Sequence, residues 1–388
     1  MFRQALATEG TISYELDFTA GQLRYLNGSA SAVRSLGLGP ATTPRWQQET
    51  AQGALLSQNG RTLVTVRSTG AAAGIRLQDT HSSKSAFTVP HKPCPATKAE
   101  AGECSDMLAL SADGRTFAYA QTDEMSSFVT RQSITVWDVA AHRKRATITI
   151  RFGEEGFADV DALALSADGR TLLVSRATEN RVEVWDVRRN KRTRTLKNIS
   201  AEVLAVRGDL RTLASSNNEV ADLRSGRVAY GTLGDTDIST VTFSPDGRYF
   251  AAGDSDGRVT VWDGEIGSRL GILADTEATE SVSALAFSPD GDTLAVADDS
   301  GTVRLWDVPS SRPLGSAVPG PGDQPLALAF AENGTTLYVA GSHVPLRTYD
   351  FAPAHVIRRL CERTGSGLSE PDWKTYLPDI PYRRTCES

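Results

Sequence analysis

The amino-acid sequence predicts an all-β fold built from repeated units of four antiparallel strands. Three observations lead to this prediction: a turn that recurs along the chain, an aromatic-aspartate pair about 20 residues after each turn, and short β-prone runs between them. The composition agrees with a globular protein, because 40% of the 388 residues are hydrophobic and 23% are charged.

The recurring turn carries Asp-Gly or Asn-Gly, which supply the positive φ that a tight β-hairpin requires. Apolar runs flank it, for example residues 108–110 before and 116–120 after one copy. Clear copies begin at Ser111, Ser166, Ser244 and Ser288, and weaker copies begin at Ser57, Arg207 and Ala331. The sequence therefore predicts seven β-hairpins.

The aromatic-aspartate pair ends a strand with alternating apolar and polar residues, such as residues 258–262. Its period of two places successive side chains on opposite faces of the sheet. The pairs are Trp137-Asp138, Trp185-Asp186, Trp262-Asp263 and Trp306-Asp307, with Tyr349-Asp350 as a variant and Gln78-Asp79 and Ala221-Asp222 as degenerate copies. A further short run follows each pair, so each unit has four strands.

Together, the turns and the Trp-Asp pairs resemble the WD-repeat β-propellers, in which each repeat forms one blade and Trp-Asp ends its third strand. The resemblance covers residues 54–350 and implies a seven-bladed β-propeller of four-stranded antiparallel blades. The Gly-His pair that often precedes the first strand in this family is absent from every copy. We therefore expect apolar packing between blades, and not a buried His-Asp network, to stabilise the fold.

Three segments follow from this pattern: a closing strand and linker at 1–52, the WD-repeat propeller at 53–352, and a helix and tail packed on the propeller at 353–388. Residues 12–18 alternate as an outer strand would. We expect them to complete the last blade, which a short helix predicted at 354–363 leaves one strand short. Alternatively, residues 16–21 are a degenerate Trp-Asp junction that belongs to a further blade upstream.

The tail at residues 373–386 resembles the C-terminal tail of actinobacterial WD-repeat proteins, many of which carry an upstream NTPase, kinase or DNA-binding module. The 34 arginines against 7 lysines fit a GC-rich genome. This resemblance implies a place in a bacterial regulatory system.

The four cysteines form two local pairs, Cys94 with Cys104 and Cys361 with Cys386. Their even number and their loop positions favour two disulfides, which would place the chain in an oxidising, extracytoplasmic compartment. Four free thiols in the cytoplasm are the alternative. A zinc site from His91, Cys94 and Cys104 lacks the usual two-residue cysteine spacing, so no metal site is predicted.

The usual catalytic motifs are absent from the sequence: there is no P-loop, no dinucleotide fingerprint, no nucleophile elbow and no His-Glu-x-x-His pair. We therefore expect a protein that is not an enzyme and has no cofactor. The alternative is a propeller hydrolase or lactonase with a metal in the central channel, held by Asp254, Asp256, Asp298 and Asp299. Asp-Ser-Asp-Gly is, however, also ordinary hairpin chemistry.

Charged residues are expected to divide between two faces of the disc. One edge carries the basic patch Arg143, Lys144, Arg145, Arg188, Arg189, Lys191 and Arg192. The opposite face carries Glu154, Glu155, Asp235, Asp237, Asp254, Asp256, Asp298 and Asp299. The basic patch could dock an acidic protein, nucleic acid or anionic lipid, or simply protect solvated strand edges from pairing. Nucleic acid is disfavoured because no aromatic side chains interleave with it and the net charge is −6.

Large apolar side chains in adjacent loops on the acidic face predict a protein-binding site. They are Met125, Phe128, Phe152 and Phe157, beside Glu154 and Glu155. Inward packing of these loops is the alternative. Taken together, the sequence predicts a monomeric, non-catalytic scaffold or sensor that binds proteins and does not insert into membranes. A small ligand at the channel mouth is a further option.

Overall fold

The computed structural model describes residues 16–19, 22–26, 33–37, 51–67, 74–82, 87–90, 105–122, 131–151, 160–234, 236–273, 280–315, 317–319, 324–364, 369–376, 379–383 and 386. Seven antiparallel sheets follow one another from residue 53 to residue 350 as blades 1 to 7 of a β-propeller. The first strands of neighbouring blades contact one another around a ring, and that of blade 7 contacts that of blade 1. The predicted all-β, seven-bladed fold is confirmed.

Each blade is an antiparallel meander whose first strand lies at the centre of the ring. In blade order, the first strands are Gly53–Leu56, Ser105–Leu110, Ala162–Leu165, Leu204–Val206, Ile238–Phe243, Val282–Phe287 and Pro325–Phe330. The second strands are Thr62–Arg67, Thr116–Thr122, Thr171–Arg176, Thr212–Ser215, Tyr249–Asp254, Thr293–Asp298 and Thr336–Gly341.

The third strand of every blade ends at the aspartate of the predicted pair. The third strands are Gly74–Asp79, Arg131–Asp138, Arg181–Asp186, Glu219–Asp222, Val259–Asp263, Thr302–Asp307 and Arg347–Asp350. The fourth strands of blades 1 to 6 are Phe87–Val89, Arg143–Arg151, Lys191–Lys197, Val228–Tyr230, Arg269–Leu273 and Arg312–Pro313, and Val318–Pro319 also pairs with the third strand of blade 6. The sheet of blade 7 has three strands among the described residues.

The Ser-x-Asp-Gly hairpins have one recurring geometry. In blade 2, the Ser111 hydroxyl donates to Asp113 at 2.6 Å and accepts the Thr116 N–H at 2.9 Å. Gly114 has a φ of +70°, and a Cβ built on it would lie 2.5 Å from Oγ1 of Thr62 in blade 1. Glycine is therefore required both by the turn and by the close approach of the preceding blade.

The hydrophobic core consists of apolar clusters at the interfaces between blades. Among the described residues, each of the seven interfaces has one such cluster. The one between blades 7 and 1 contains Ala54, Leu63, Ala327 and Ala340. This arrangement confirms the expected apolar packing between blades.

Contacts between blades 7 and 1 close the ring. The Ala51 N–H donates to the Ser342 carbonyl at 2.7 Å, and the Tyr338 hydroxyl lies 3.4 Å from Nε2 of His81. These contacts join the two ends of the blade sequence directly.

The predicted closing strand has another partner in the structure. Leu16–Thr19 pairs with Gln22–Leu26, which pairs with Val33–Gly37 in a separate three-stranded sheet. The prediction that this segment completes blade 7 was therefore wrong for residues 16–18, while residues 12–15 lie outside the described part. The physical reason is proximity, because only two residues separate the two strands and a short loop costs little closure entropy.

Two helices follow blade 7: α1, Pro353–Thr364, and α2, Glu370–Tyr376. The helix predicted at 354–363 is confirmed. A disulfide joins Cys361 to Cys386, as predicted, whereas Cys94 and Cys104 lie outside the described residues. None of the helices that the structure describes is long and apolar enough to cross a membrane.

Candidate functional site

The predicted basic residues lie at one edge of the propeller, where the third strand of a blade turns into the fourth. In blades 2 and 3 this turn lies beside the hairpin between the first two strands, since Val139 N–H donates to Arg115 O and Val187 N–H to Arg170 O, both at 2.9 Å. The two blades therefore present their basic residues at the same edge.

All seven predicted basic residues are exposed, and we call them the basic rim. They are Arg143, Lys144, Arg145, Arg188, Arg189, Lys191 and Arg192. Most of this positive charge faces solvent: the Arg189 side chain is 78% exposed even though it approaches the Asp186 carboxylate at 3.5 Å. The structure thus places the residues of the predicted patch on one accessible surface.

The aspartate of each Trp-Asp pair shapes the turn that presents these residues. Asp138 accepts the Ala141 N–H at 3.0 Å, and Asp186 accepts the Arg189 N–H at 2.8 Å. The turns also contain His142 and Asn190, each with a φ of +50°. These hydrogen bonds fix the backbone from which the basic side chains project.

Neighbouring blades are tied together along the basic rim. The Asn190 side chain donates to the Thr147 carbonyl at 3.0 Å, joining blade 3 to blade 2. The Arg194 guanidinium donates to the Arg224 carbonyl at 2.6 Å, joining blade 3 to blade 4. Sequence reasoning missed this second link, and the exposed residues Arg194 and Arg224 continue the rim into blade 4.

Blade 3 also contains a buried charged network that the sequence analysis did not identify. The Glu183 carboxylate lies 3.2 Å from Arg176 and 2.9 Å from Arg192 and accepts the Trp185 indole N–H at 3.0 Å. Arg192 therefore connects the exposed rim to the interior of the blade. The interior is not stabilised by apolar packing alone, since Glu183 and Arg176 are each 1% exposed.

The described acids of the opposite face act mainly in hairpins. Asp254 accepts the N–H groups of Asp256 and Arg258 at 3.0 and 2.8 Å, and Asp298 accepts that of Thr302 at 3.0 Å. This is the hairpin chemistry that Asp-Ser-Asp-Gly predicts. No group of three or more His, Cys, Asp or Glu side chains in the described part of the chain is placed to hold a metal ion.

The predicted apolar partner site cannot be located in the structure. Its residues lie outside the described ranges; they are Met125, Phe128, Phe152, Glu154, Glu155 and Phe157. Asp235, predicted among the acids of the same face, also lies outside them. The site stays a prediction.

Comparison with known protein families finds a match for two segments in blades 4 to 6. Residues 228–263 and 268–307 match the family model described as WD domain, G-beta repeat. Each match runs from the fourth strand of one blade through the third strand of the next, so the sequence repeat is offset from the blade. These two segments are similar to WD40 repeats. No curated protein matches it.

Proposed function

We propose that this WD40 propeller is a non-catalytic protein-interaction scaffold, and that its basic rim binds an acidic segment of a protein partner. The observation that carries the proposal is the set of exposed cations held on adjacent, hydrogen-bonded blades of a chain whose net charge is −6. WD40 propellers are commonly scaffolds of this kind. The resemblance of the tail to actinobacterial regulatory proteins supports a role in a bacterial regulatory system.

An acidic protein segment fits the rim better than nucleic acid or lipid does. Five of the seven residues from Arg188 to Arg194 in blade 3 are basic, and no aromatic side chain among the seven offers a platform for bases. Arginine predominates, and its planar guanidinium matches carboxylates in a bidentate arrangement. The rim is also fixed by backbone hydrogen bonds, so binding requires little reordering of the main chain.

A binding assay with a defined acidic probe tests this proposal. The probe is a fluorescent twelve-residue peptide rich in glutamate, and anisotropy reports its affinity for the purified chain. Reversing Arg143, Arg188 and Arg189 to Glu should weaken binding by about tenfold or more, because like charges then face the peptide. These three residues are chosen because Arg145 and Arg192 contact Thr116 and Glu183 within the blades.

The matched control reverses Arg269 and Arg312 to Glu, which begin the fourth strands of blades 5 and 6 and are also exposed. This variant should keep the wild-type affinity. Equal losses in both variants, or an unchanged affinity in the rim variant, would overturn the proposal. Tighter binding of a dodecathymidylate strand or of vesicles rich in anionic phospholipid would overturn the choice of partner.

A further inference from the structure

The central channel contains a cavity of about 560 Å³, lined by the first strands of all seven blades. Its wall exposes polar and apolar surface in nearly equal measure, and its apolar side chains include Leu55, Leu108, Leu163, Leu204, Phe287 and Leu328. Pockets for small organic ligands commonly have volumes of about 300–1,000 Å³ and apolar walls. The cavity therefore has the size of a small-molecule site, with a wall that is about half apolar.

A side chain crosses one end of this channel. Gln58 follows the first strand of blade 1, and its amide donates to the carbonyl of Phe243 at 3.1 Å. Phe243 ends the first strand of blade 5, which is not a neighbour of blade 1 in the ring. The hydrogen bond thus spans the channel and gives the cavity a floor.

The direction of the first strands shows which residues surround the other end of the channel. Hairpins of successive blades lie side by side at the floor, where Asn59 N–H donates to Ala112 O and Asp113 N–H to Ala167 O. The first strands therefore run in the same direction, and their beginnings surround the opposite mouth.

Carboxylates lie at those beginnings in three consecutive blades. Asp106 is the second residue of its strand, Asp161 immediately precedes its strand, and Glu202 is exposed two residues before its strand. The Ala177 N–H donates to Asp161 at 2.5 Å and holds that carboxylate in place. Among the described residues that line the cavity, these three are acidic and none is Lys, Arg or His.

We propose that the channel binds a small amphiphilic organic cation. Its ammonium or guanidinium group lies at the mouth formed by Asp106, Asp161 and Glu202, and its apolar body extends toward the Gln58 floor. Attraction between opposite charges selects the cation, and removal of apolar surface from water supplies affinity. This inference goes beyond the proposed scaffold role, since the mouth opens at the edge opposite the basic rim.

Titration calorimetry on the purified chain tests the inference with n-octylammonium as the probe. We expect one equivalent to bind, about tenfold or more tightly than n-octanol or octanoate, because only the ammonium gains from the acidic mouth. Methylammonium should give no measurable binding, because it has the charge without the apolar body. Failure of n-octylammonium to bind, or equal affinity for n-octanol, would overturn the inference.

Charge-neutral variants at the mouth show where the probe binds. Asp106→Asn with Glu202→Gln should weaken n-octylammonium about fivefold or more and leave n-octanol unchanged. The matched control is Asp237→Asn with Glu280→Gln, two exposed acids that do not line the cavity. Circular dichroism confirms that each variant is folded. Equal affinity in the mouth variant and the wild type would overturn the inference, and neither result bears on the rim, where a different probe and different variants are used.

Discussion

The Arg176 guanidinium lies 3.2 Å from the Glu183 carboxylate, with both side chains 1% exposed. The two residues occupy the second and third strands of blade 3, where Arg176 pairs with Arg181 and Glu183 with Val174. A charge removed from water is costly unless opposite charge and hydrogen bonds surround it. Here Arg181, Arg192 and the Trp185 indole complete the surroundings of Glu183.

Breaking this ion pair is expected to destabilise the propeller strongly. Arg176→Met should lower the free energy of unfolding by about 3 kcal/mol, because it leaves the Glu183 charge buried with fewer partners. Combining it with Glu183→Gln should cost less than the sum of the two single changes, since the unpaired charge is then removed. Urea unfolding followed by circular dichroism measures all three variants.

Arg189→Met is the matched control for this measurement. Arg189 also approaches a carboxylate, that of Asp186 at 3.5 Å, but its side chain is 78% exposed. Its loss should cost less than about 1 kcal/mol, as is usual for surface ion pairs. Comparable losses for Arg176→Met and Arg189→Met would contradict the role of burial.

Tyr338 should contribute substantially to ring closure. It is 6% exposed, lies edge-on to His81 with ring centroids 6.1 Å apart, and packs at the interface of blades 7 and 1. Tyr338→Ala should lower the free energy of unfolding by about 3 kcal/mol through the cavity that it leaves. Tyr376→Ala is the control, because Tyr376 is 70% exposed and its loss should change little. A small effect at Tyr338 would mean that blade 7 closes the ring mainly through its backbone and aliphatic contacts.

The hairpin serines should stabilise the fold in a pH-dependent way. Ser244 donates to Asp246 at 2.6 Å and accepts the Tyr249 N–H at 2.9 Å. Burial alone would raise the pKa of the Asp246 carboxyl, but hydrogen bonds from Ser244 and Arg248 more than offset it and hold the pKa below its ordinary 3.8. A lowered folded-state pKa stabilises the fold above pH 3.8, and this contribution is lost as the pH falls through the folded-state value.

Ser244→Ala should therefore cost about 1 kcal/mol or more at neutral pH, since the partly buried Tyr249 N–H loses its acceptor. The difference from wild type should become smaller as the pH falls from neutral through the lowered folded-state pKa of Asp246, because the carboxyl is then protonated in both proteins. Denaturant unfolding at several pH values measures it. Ser268→Ala, at an exposed bend, serves as the control. A constant difference across this pH range would exclude the contribution of Asp246.

Local chemistry explains why much of this fold could be predicted from the sequence. A Ser-x-Asp-Gly hairpin is specified by residues within the turn itself, and Trp262-Asp263 and Trp306-Asp307 end their strands as expected. Gln58 and Phe243 are 185 residues apart, and they meet only because the ring closes. No local pattern carries such a contact.

The buried network of blade 3 was missed for a related reason. Arg176 and Glu183 are charged residues in strands, and a sequence alone favours solvent exposure for both. They meet because of the register of two strands. The closing strand was mispredicted because alternation at residues 12–18 identifies a strand without identifying its partner.

The C-terminal tail is expected to depend on its disulfide. Cys361 and Cys386 are separated by 25 residues, and α2 between them contributes Trp373, which is 7% exposed. The Trp373 indole donates to the Ile380 carbonyl at 2.8 Å and packs edge-on against Tyr382. Such a small cluster buries little apolar surface, whereas closing a loop of this length contributes about 3 kcal/mol.

Reduction should therefore raise amide hydrogen exchange in α2 by about tenfold or more and leave blade 3 unchanged. Cys361→Ser with Cys386→Ser should reproduce this pattern without reductant and show no further change when reductant is added. Protection of α2 that persists after reduction would show that packing alone holds the tail.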